Sequence, residues 1–228
     1  MPTPVLSPVR ARVGRGVRYA AIVAVCALGA CTPLRVVTHN VSPVESKVSA
    51  GRYEMDPYHW SVTFDVEHLG YSRFVMRFDR VKGQLDWREG GMEQSSVEAT
   101  IDAASLDTNV PALDKLVKGK DMLDVEHYPQ IRFVSTRFTR TGDARGTLTG
   151  DLTIRGVTRP VTLDVTFNGV APNPLTKQPT LGFSAHGHFS RARFGLSTWY
   201  PAVGDDIGVR IEAEFAKPAP ASASAATP

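Results

Sequence analysis

Residues 61–67 read Ser61-Val62-Thr63-Phe64-Asp65-Val66-Glu67, and their alternation of apolar with polar side chains decides the fold class. Successive side chains of an extended chain point to opposite faces, so Val62, Phe64 and Val66 share one face and the polar residues share the other. The same period of two recurs along the chain. It carries Phe74, Met76 and Phe78, then Val97, Ala99 and Ile101, then Ile131 and Phe133, then Leu152 and Ile154. It continues through Val161, Leu163, Val165 and Phe167, through Leu181, Phe183 and Ala185, and ends with Ile207, Val209, Ile211, Ala213 and Phe215. Turn-forming residues separate the runs at Gly90-Gly91, Gly142-Asp143, Gly156, Gly169 and Pro172 to Pro174. About eight or nine strands, nearly all apolar on one side, predict an all-β domain, either an antiparallel sandwich or a closed barrel. Closure also removes exposed strand edges.

One segment breaks the pattern. After Asp107-Thr108-Asn109, Pro111 suits a first helical turn, Leu113, Leu116 and Val117 follow at helical spacing, and Gly119 ends the run. Met122, Leu123, Val125 and Tyr128 predict a second short helix, stopped by Pro129. Such an insertion would plug or cover the open end of a barrel.

The 228-residue chain is 42% hydrophobic and 21% charged, a balance that excludes disorder as the main theme. Its 19 Gly and 16 Pro follow no period and it has 2 Cys, so collagen-like and disulfide-framework folds are excluded too. The formal charge of +3 is concentrated at the N-terminus. Arg10, Arg12, Arg15 and Arg18 lie in the first 30 residues, which contain no acid, leaving 22 of the 26 basic residues against 23 acidic ones. A near-neutral remainder predicts no nucleic-acid partner.

The apolar run from Ala20 to Ala30 is too short to cross a hydrocarbon core of ~30 Å as a helix, and it reads as the central region of a secretory leader. Leu28-Gly29-Ala30-Cys31 resembles a bacterial lipobox, which implies removal of residues 1–30 and acylation of Cys31. The alternative is an ordinary signal peptide with a chance cysteine. Cys26 would leave with the leader, so the mature chain would have neither free thiol nor disulfide. Thr32, standing where an Asp would retain a Gram-negative lipoprotein, implies an anchor in the cell envelope at the periplasmic face of the outer membrane. The expected organisation is a lipidated tether over 31–50, a barrel domain over 51–216 and a Pro/Ala/Ser tail over 217–228 with little to bury.

Four motifs stand in order within 51–216. The first runs Tyr53-x-x-Asp56-x-x-His59-x-x-Val62-x-Phe64-x-Val66-x-His68-Leu69-Gly70; the second joins Asp107-Thr108-Asn109 to Tyr128-Pro129-Gln130-Ile131-x-Phe133-x-Ser135. The third, Gly150-Asp151-Leu152-Thr153-Ile154-Arg155-Gly156-Val157-Thr158-Arg159-Pro160-Val161, is the most specific, and Arg193-Phe194-Gly195 with Val203-Gly204-Asp205 makes the fourth. Together they resemble the YceI-like family of polyisoprenoid-binding, lipocalin-like bacterial proteins. The resemblance implies an eight-stranded extended antiparallel barrel with a short helical insertion, whose apolar pore holds an isoprenoid or another long-chain amphiphile, as monomer or homodimer. The pore-lining candidates are Val62, Phe64, Val66, Phe74, Met76, Val97, Ala99, Ile101, Phe133, Leu152, Ile154, Leu163, Val165, Phe167, Phe183, Ala185, Val209, Ile211 and Ala213. Periodicity alone leaves open whether such a lumen is hollow or filled by its own side chains. One departure stands out: where members often show Arg-Asp-x-His-Leu, this chain reads Leu113-Asp114-Lys115-Leu116-Val117, so any head-group role of that Arg and His is missing or transferred.

Catalytic and metal chemistry find little support. His186-x-His188 puts two imidazoles on one strand face, but with Ser184 and Ser190 beside them they read as an outer wall, and no metal is expected. His59 and His68 read as rim residues, with His68 equally suited to a pore mouth. Asp205 and Asp206 would point apart on an extended chain, with Gly204 and Gly208 marking a turn into the last strand. No thiol nucleophile, Gly-x-Ser-x-Gly elbow, His-Glu-x-x-His or phosphate-cradling loop is present, so neither an enzyme nor a cofactor is expected. Lys82-Gly83 and Arg155-Gly156 read as turn-compatible cations that could attract a pyrophosphate to a rim. The rival readings are a filled barrel with a structural or partner-binding role, and a hydrolase or stress-response enzyme on the same scaffold.

Overall fold

The computed structural model describes residues 36–218; the expected leader, Cys31 and nearly all of the Pro/Ala/Ser tail lie outside the described residues. The alternating runs become strands β1 (Gly51–His68), β2 (Ser72–Phe78), β3 (Val81–Trp87), β4 (Ser96–Asp102), β5 (Leu106–Asp107), β6 (Gln130–Gly142), β7 (Arg145–Ile154), β8 (Val157–Pro172), β9 (Pro179–Ser190) and β10 (Val203–Ala216). They form one antiparallel sheet in the order β10-β9-β8-β7-β6-β4-β3-β1-β2-β5, and a further pairing of β1 with β10 closes it. β2 and β3 lie end to end along β1, opposite residues 62–68 and 51–54 respectively, and β5 prolongs the line of β4. The wall is therefore the expected barrel of eight strand lines.

A bulge lets β1 change neighbours. The four residues between Met55 and Trp60 face a single residue of β10, and the extra chain is tied down locally. Asp56 Oδ1 accepts from the amides of Tyr58 (2.8 Å) and His59 (3.2 Å), while Trp60 Nε1 donates to the Pro57 carbonyl at 3.2 Å.

Helix α1 (Pro111–Lys118) forms as the spacing predicts, with Pro111 in its first turn. The second helix does not form. From Gly119 the chain folds back on the last turn of α1: Leu123 and Val125 donate to the carbonyls of Val117 and Lys118, and Asp124 takes a positive φ of 49°. Capping the free carbonyls of α1 thus replaces the helical hydrogen bonds that Met122 to Tyr128 would otherwise make. Three supposed turn marks lie inside strands. Lys82-Gly83 belongs to β3, Gly204 and Gly208 belong to β10, and Gly169 sits in β8 at a bulge.

Gly169 has a specific task. Its φ is +139° and a Cβ there would stand 2.9 Å from the Ser42 backbone, because the incoming chain crosses the sheet at this point. Ser42 and Val170 exchange backbone hydrogen bonds of 3.0 and 2.9 Å. From Ser42 on, the segment expected as a tether therefore runs against the barrel wall. Val48 is buried, and Glu45 receives Arg140 Nη1 at 2.8 Å, Arg140 Nη2 at 3.0 Å and the Met92 amide at 2.9 Å. At the other boundary Lys217 belongs to the body as well, its amide bound to the Pro179 carbonyl and its Nζ to Ser49 and Ala50.

The Glu45 carboxylate satisfies a guanidinium and a backbone amide at once, and truncating it strips Arg140 of its closest carboxylate and leaves the Met92 amide without a partner. Glu45→Ala is expected to lower unfolding free energy by about 1–3 kcal/mol in denaturant titration, with little change for Lys47→Ala on the exposed side of the same turn.

Candidate functional site

The inward faces of the strands enclose two cavities stacked along the barrel. The upper one measures about 630 Å³ and is walled by Val62, Phe64, Val66, Phe74, Met76, Ile101, Leu152, Ile154 and Val209, with Phe78, Val81, Ile131, Val161, Phe189 and Ile207 among the rest. The lower one measures about 130 Å³, with Val97, Val165, Phe183, Ala185 and Ala213 in its wall beside Leu85, Trp87, Met92, Phe138, Leu148 and Phe215. Five residues line both: Met55, Ala99, Phe133, Leu163 and Ile211. A filled barrel is thus not what forms.

Phe167 is the one pore candidate that lines neither cavity. Only 1% exposed, it packs against Trp87 and Phe183 at ring-centroid distances of 5.7 and 5.3 Å, and Phe215 meets Phe183 edge-on at 6.0 Å. Interlocked rings fill the lumen at this end and form the floor of the lower cavity. Sequence reasoning missed Met55 behind its bulge and the whole inner face of β3. The signal was there: Val81, Leu85 and Trp87 keep the period of two, and Gly83 hides it by supplying no side chain at the next inward position.

Leu113, Leu116, Val117, Met122 and Leu123 of the insertion complete the upper wall. The family's Arg and His positions are therefore occupied here by apolar wall. Leu69, Leu116 and Trp199 line the cavity yet are 54%, 57% and 43% exposed, which places the mouth between α1, the β1–β2 turn and the β9–β10 loop. The loops are tied together there: the Leu69 amide bonds the Ala202 carbonyl at 2.8 Å, Thr198 Oγ1 the Asp121 carbonyl at 3.0 Å, and Arg155 Nη2 the Lys120 carbonyl at 2.9 Å.

Polar groups at the cavity are few. His68 and Arg191 both line it. Arg191 is 5% exposed, and its guanidinium donates to the carbonyls of Gly204 (2.7 Å), Leu196, Thr198 (3.0 Å) and Val203 (2.8 Å). Burial pulls its pKa below the ordinary arginine value, with the Asp205 charge pulling the other way. Four of its five donors hold the β9–β10 loop from within. Asp205 caps the next turn through the Ala192 amide at 2.8 Å and is held below the usual carboxylate range, mainly by hydrogen bonding from Ser190. The lid has its own latch. Asp114, in the first turn of α1, accepts from the Thr108 hydroxyl at 2.6 Å and amide at 2.8 Å, and those bonds hold its carboxyl below the usual range.

The remaining candidates lie outside. His186 and His188 face solvent, near Asp164 (3.7 Å) and Asp206 (2.9 Å). Asp56, His59 and Glu214 gather ligand atoms within 4.8 Å of one another on the outer surface, where Asp56 already caps the β1 bulge. Asp205 and Asp206 engage different partners, as adjacent strand residues should.

Two outcomes follow. Arg191→Met strands buried carbonyls and should cost about 3 kcal/mol or more in unfolding free energy, with hydrogen exchange accelerated first across residues 196–204. Asp114 is more acidic folded than unfolded, so its contribution is full above the ordinary aspartate pKa of about 4 and is lost as pH falls through and below it. Thermal melts should show wild type above Asp114→Asn at neutral pH, the gap closing on acidification.

Relatives share this architecture. A UPF0312 protein of Pseudomonas putida is 37% identical over 149 residues, 64% of this chain and 77% of that protein, and one from Vibrio campbellii is 36% identical over 155 residues, 68% and 79% of the two chains. Among solved structures, Burkholderia cenocepacia BcnA superposes with a TM-score of 0.62 at 27% identity, covering 70% of this chain and 98% of that one. The Campylobacter jejuni YCEI protein does so at 0.61 and 28%, covering 67% and 90%. A polyisoprenoid binding domain from Saccharophagus degradans shares the fold at 0.53 and 10% identity, covering 75% and 100%. Residues 53–215 match the family model of the YceI-like domain, and the chain belongs to that family.

Proposed function

We propose that this protein is a carrier that shelters the apolar tail of a long-chain isoprenoid or similar amphiphile in its barrel. It would work from the cell envelope, anchored through an acylated Cys31 at the periplasmic face of the outer membrane. The observation that carries this reading is the upper cavity: about 630 Å³, walled almost wholly by carbon, with a mouth to the exterior. Its size falls in the range of small-molecule sites, ~300–1,000 Å³. Hollowness on this scale is costly. At ~24 cal/mol per Å³ of void, 630 Å³ left empty and dry would forfeit about 15 kcal/mol, comparable to the whole stability of a domain. Walls that could have collapsed on themselves are instead held apart by a closed sheet, which fits an occupant that supplies the missing contacts.

The occupant's chemistry follows from the walls. A polar molecule would lose its water without finding partners, whereas each methylene moved inside contributes ~0.8 kcal/mol. Arg191 is engaged with backbone, so selection by head group is weak and selection by tail dominates. The Saccharophagus domain's polyisoprenoid ligand belongs to the same chemical class, and the ligand assignment here rests on the lumen of this chain. Binding is the whole of the activity in this reading, with no bond made or broken.

The test is native mass spectrometry of the purified protein, with solvent extraction and lipid analysis. A long-chain species in near one-to-one amount supports the carrier. A protein that is empty and also fails to take up added polyprenol refutes it. Ile211→Asp should abolish retention in protein still folded by circular dichroism, while His186→Ala, on the outer wall, should leave retention intact. Metabolic labelling with palmitate, lost in Cys31→Ala, checks the anchor.

A further inference from the structure

We propose that the layer shared by the two cavities is a chain-length gate, in which Met55, Phe133 and Leu163 lie back on the bare glycines Gly83, Gly150 and Gly187 and so decide how deep a bound tail can reach. The inference rests on the pore being a chain-binding site, and adds what sets the length of the chain.

The layer draws on five strand lines, with Met55 on β1, Ala99 on β4, Phe133 on β6, Leu163 on β8 and Ile211 on β10. Register sets small residues beside these members: Gly83 pairs with Ala99, Ala99 with Phe133, Gly187 with Leu163, and Ala185 with Ile211. Each long side chain occupies the space of a missing one. A Cβ on Gly83 would stand 2.7 Å from Met55 Cε, and one on Gly187 would stand 2.9 Å from Leu163 Cδ2. A Cβ on Gly150 would run into the Phe133 ring. Glycine within a strand weakens it, by entropy and by lost packing, and three in one layer of a wall are not explained by sheet formation. They are explained by the room they leave: against bare backbone a thioether, a phenyl and an isobutyl group can lie back toward the wall, in the layer that separates 630 Å³ above from 130 Å³ below.

The three seats differ. At Gly150 and Gly187 a Cβ would also meet backbone oxygens, of Val134 and Thr162, both at 2.7 Å. At Gly83 it would meet only side chains: Met55, whose three rotatable bonds let it move, and the Phe215 ring at 3.3 Å. Met55 is the movable leaf. Gly83→Ala should therefore swing Met55 into the lumen without breaking the wall.

The experiment titrates the full chain, stripped of lipid by solvent, with a ladder of straight-chain fatty acids that lengthens two methylenes at a time. Wild-type affinity is expected to climb by up to about fourfold per methylene through the whole ladder, until the lower cavity is filled. Gly83→Ala should match wild type within twofold for short chains but reach its plateau earlier, leaving at least a tenfold deficit for the longest. Adding Met55→Ala to Gly83→Ala should restore the long-chain arm. Met55→Ala alone should raise the longest chains relative to the shortest, which keeps the gate testable if Gly83→Ala misfolds. Equal curves for wild type and variants, or a loss uniform across lengths, would overturn the gate while leaving the carrier standing. A wild type that binds no member of the ladder and no polyprenol would instead overturn the carrier, and the gate with it.

Discussion

The hydrogen-bonded seam between β1 and β10 is the constraint on which the rest depends. Because the sheet closes there, its strands find backbone partners within the wall, and their inward side chains are free to be apolar. Only then can the interior be almost wholly carbon. The seam also explains the length of β1. Its 18 residues must reach from β3 at one end to β2 at the other while keeping register with β10, and the bulge between Met55 and Trp60 absorbs the mismatch. The bulge aims Met55 into the lumen at the height of the shared layer, so the feature that closes the wall also positions the side chain that narrows it.

The wall was largely legible in the sequence because a period of two is a local signal. Once Val62, Phe64 and Val66 are known to face inward, pleating carries that assignment along each strand without reference to distant chain. What escaped was whatever depends on distant partners. Gly83 reads as a turn because its strand role exists only beside Ala99 and under Met55. Met122 to Tyr128 carry helical spacing, yet they form turns because the end of α1 needs its carbonyls capped more than the segment needs a helix of its own. Glu45 looks like a residue of a featureless linker until Arg140, nearly a hundred positions away, is folded against it. Phe167 has the right period for the pore, and only the rings of Trp87 and Phe183 show that its end of the barrel is solid.

The molecule accordingly divides into a solid half and a hollow half. Tyr53, Leu181, Phe167 and their aromatic neighbours make a packed base, fastened outside by the Ser42 bridge, the Glu45–Arg140 pair and Lys217. Above it the same backbone continues around a void, whose walls bury apolar side chains of their own while the closed hydrogen-bond network holds them apart. Concentrating packing at one end is a physical answer to building a large cavity in a small domain, whose margin of stability is only about 5–15 kcal/mol.

That division also settles where discrimination can reside. At the mouth, the buried Arg191 spends its guanidinium on four carbonyls of the loop beside it, and apolar Leu113 and Leu116 stand on the inner face of the lid. A rim organised in this way is rigid but chemically indifferent, since few unpaired donors face the lumen to be satisfied by one head group and left wanting by another. Apolar walls discriminate by shape alone, methylene by methylene, and shape is most restrictive where the lumen is thinnest. On the gate proposed above, that place is the layer in which glycines on three strands give room to Met55, Phe133 and Leu163. A few cubic ångströms there bear on every chain long enough to reach it, whereas the same change in the wider chamber above would be absorbed by slack.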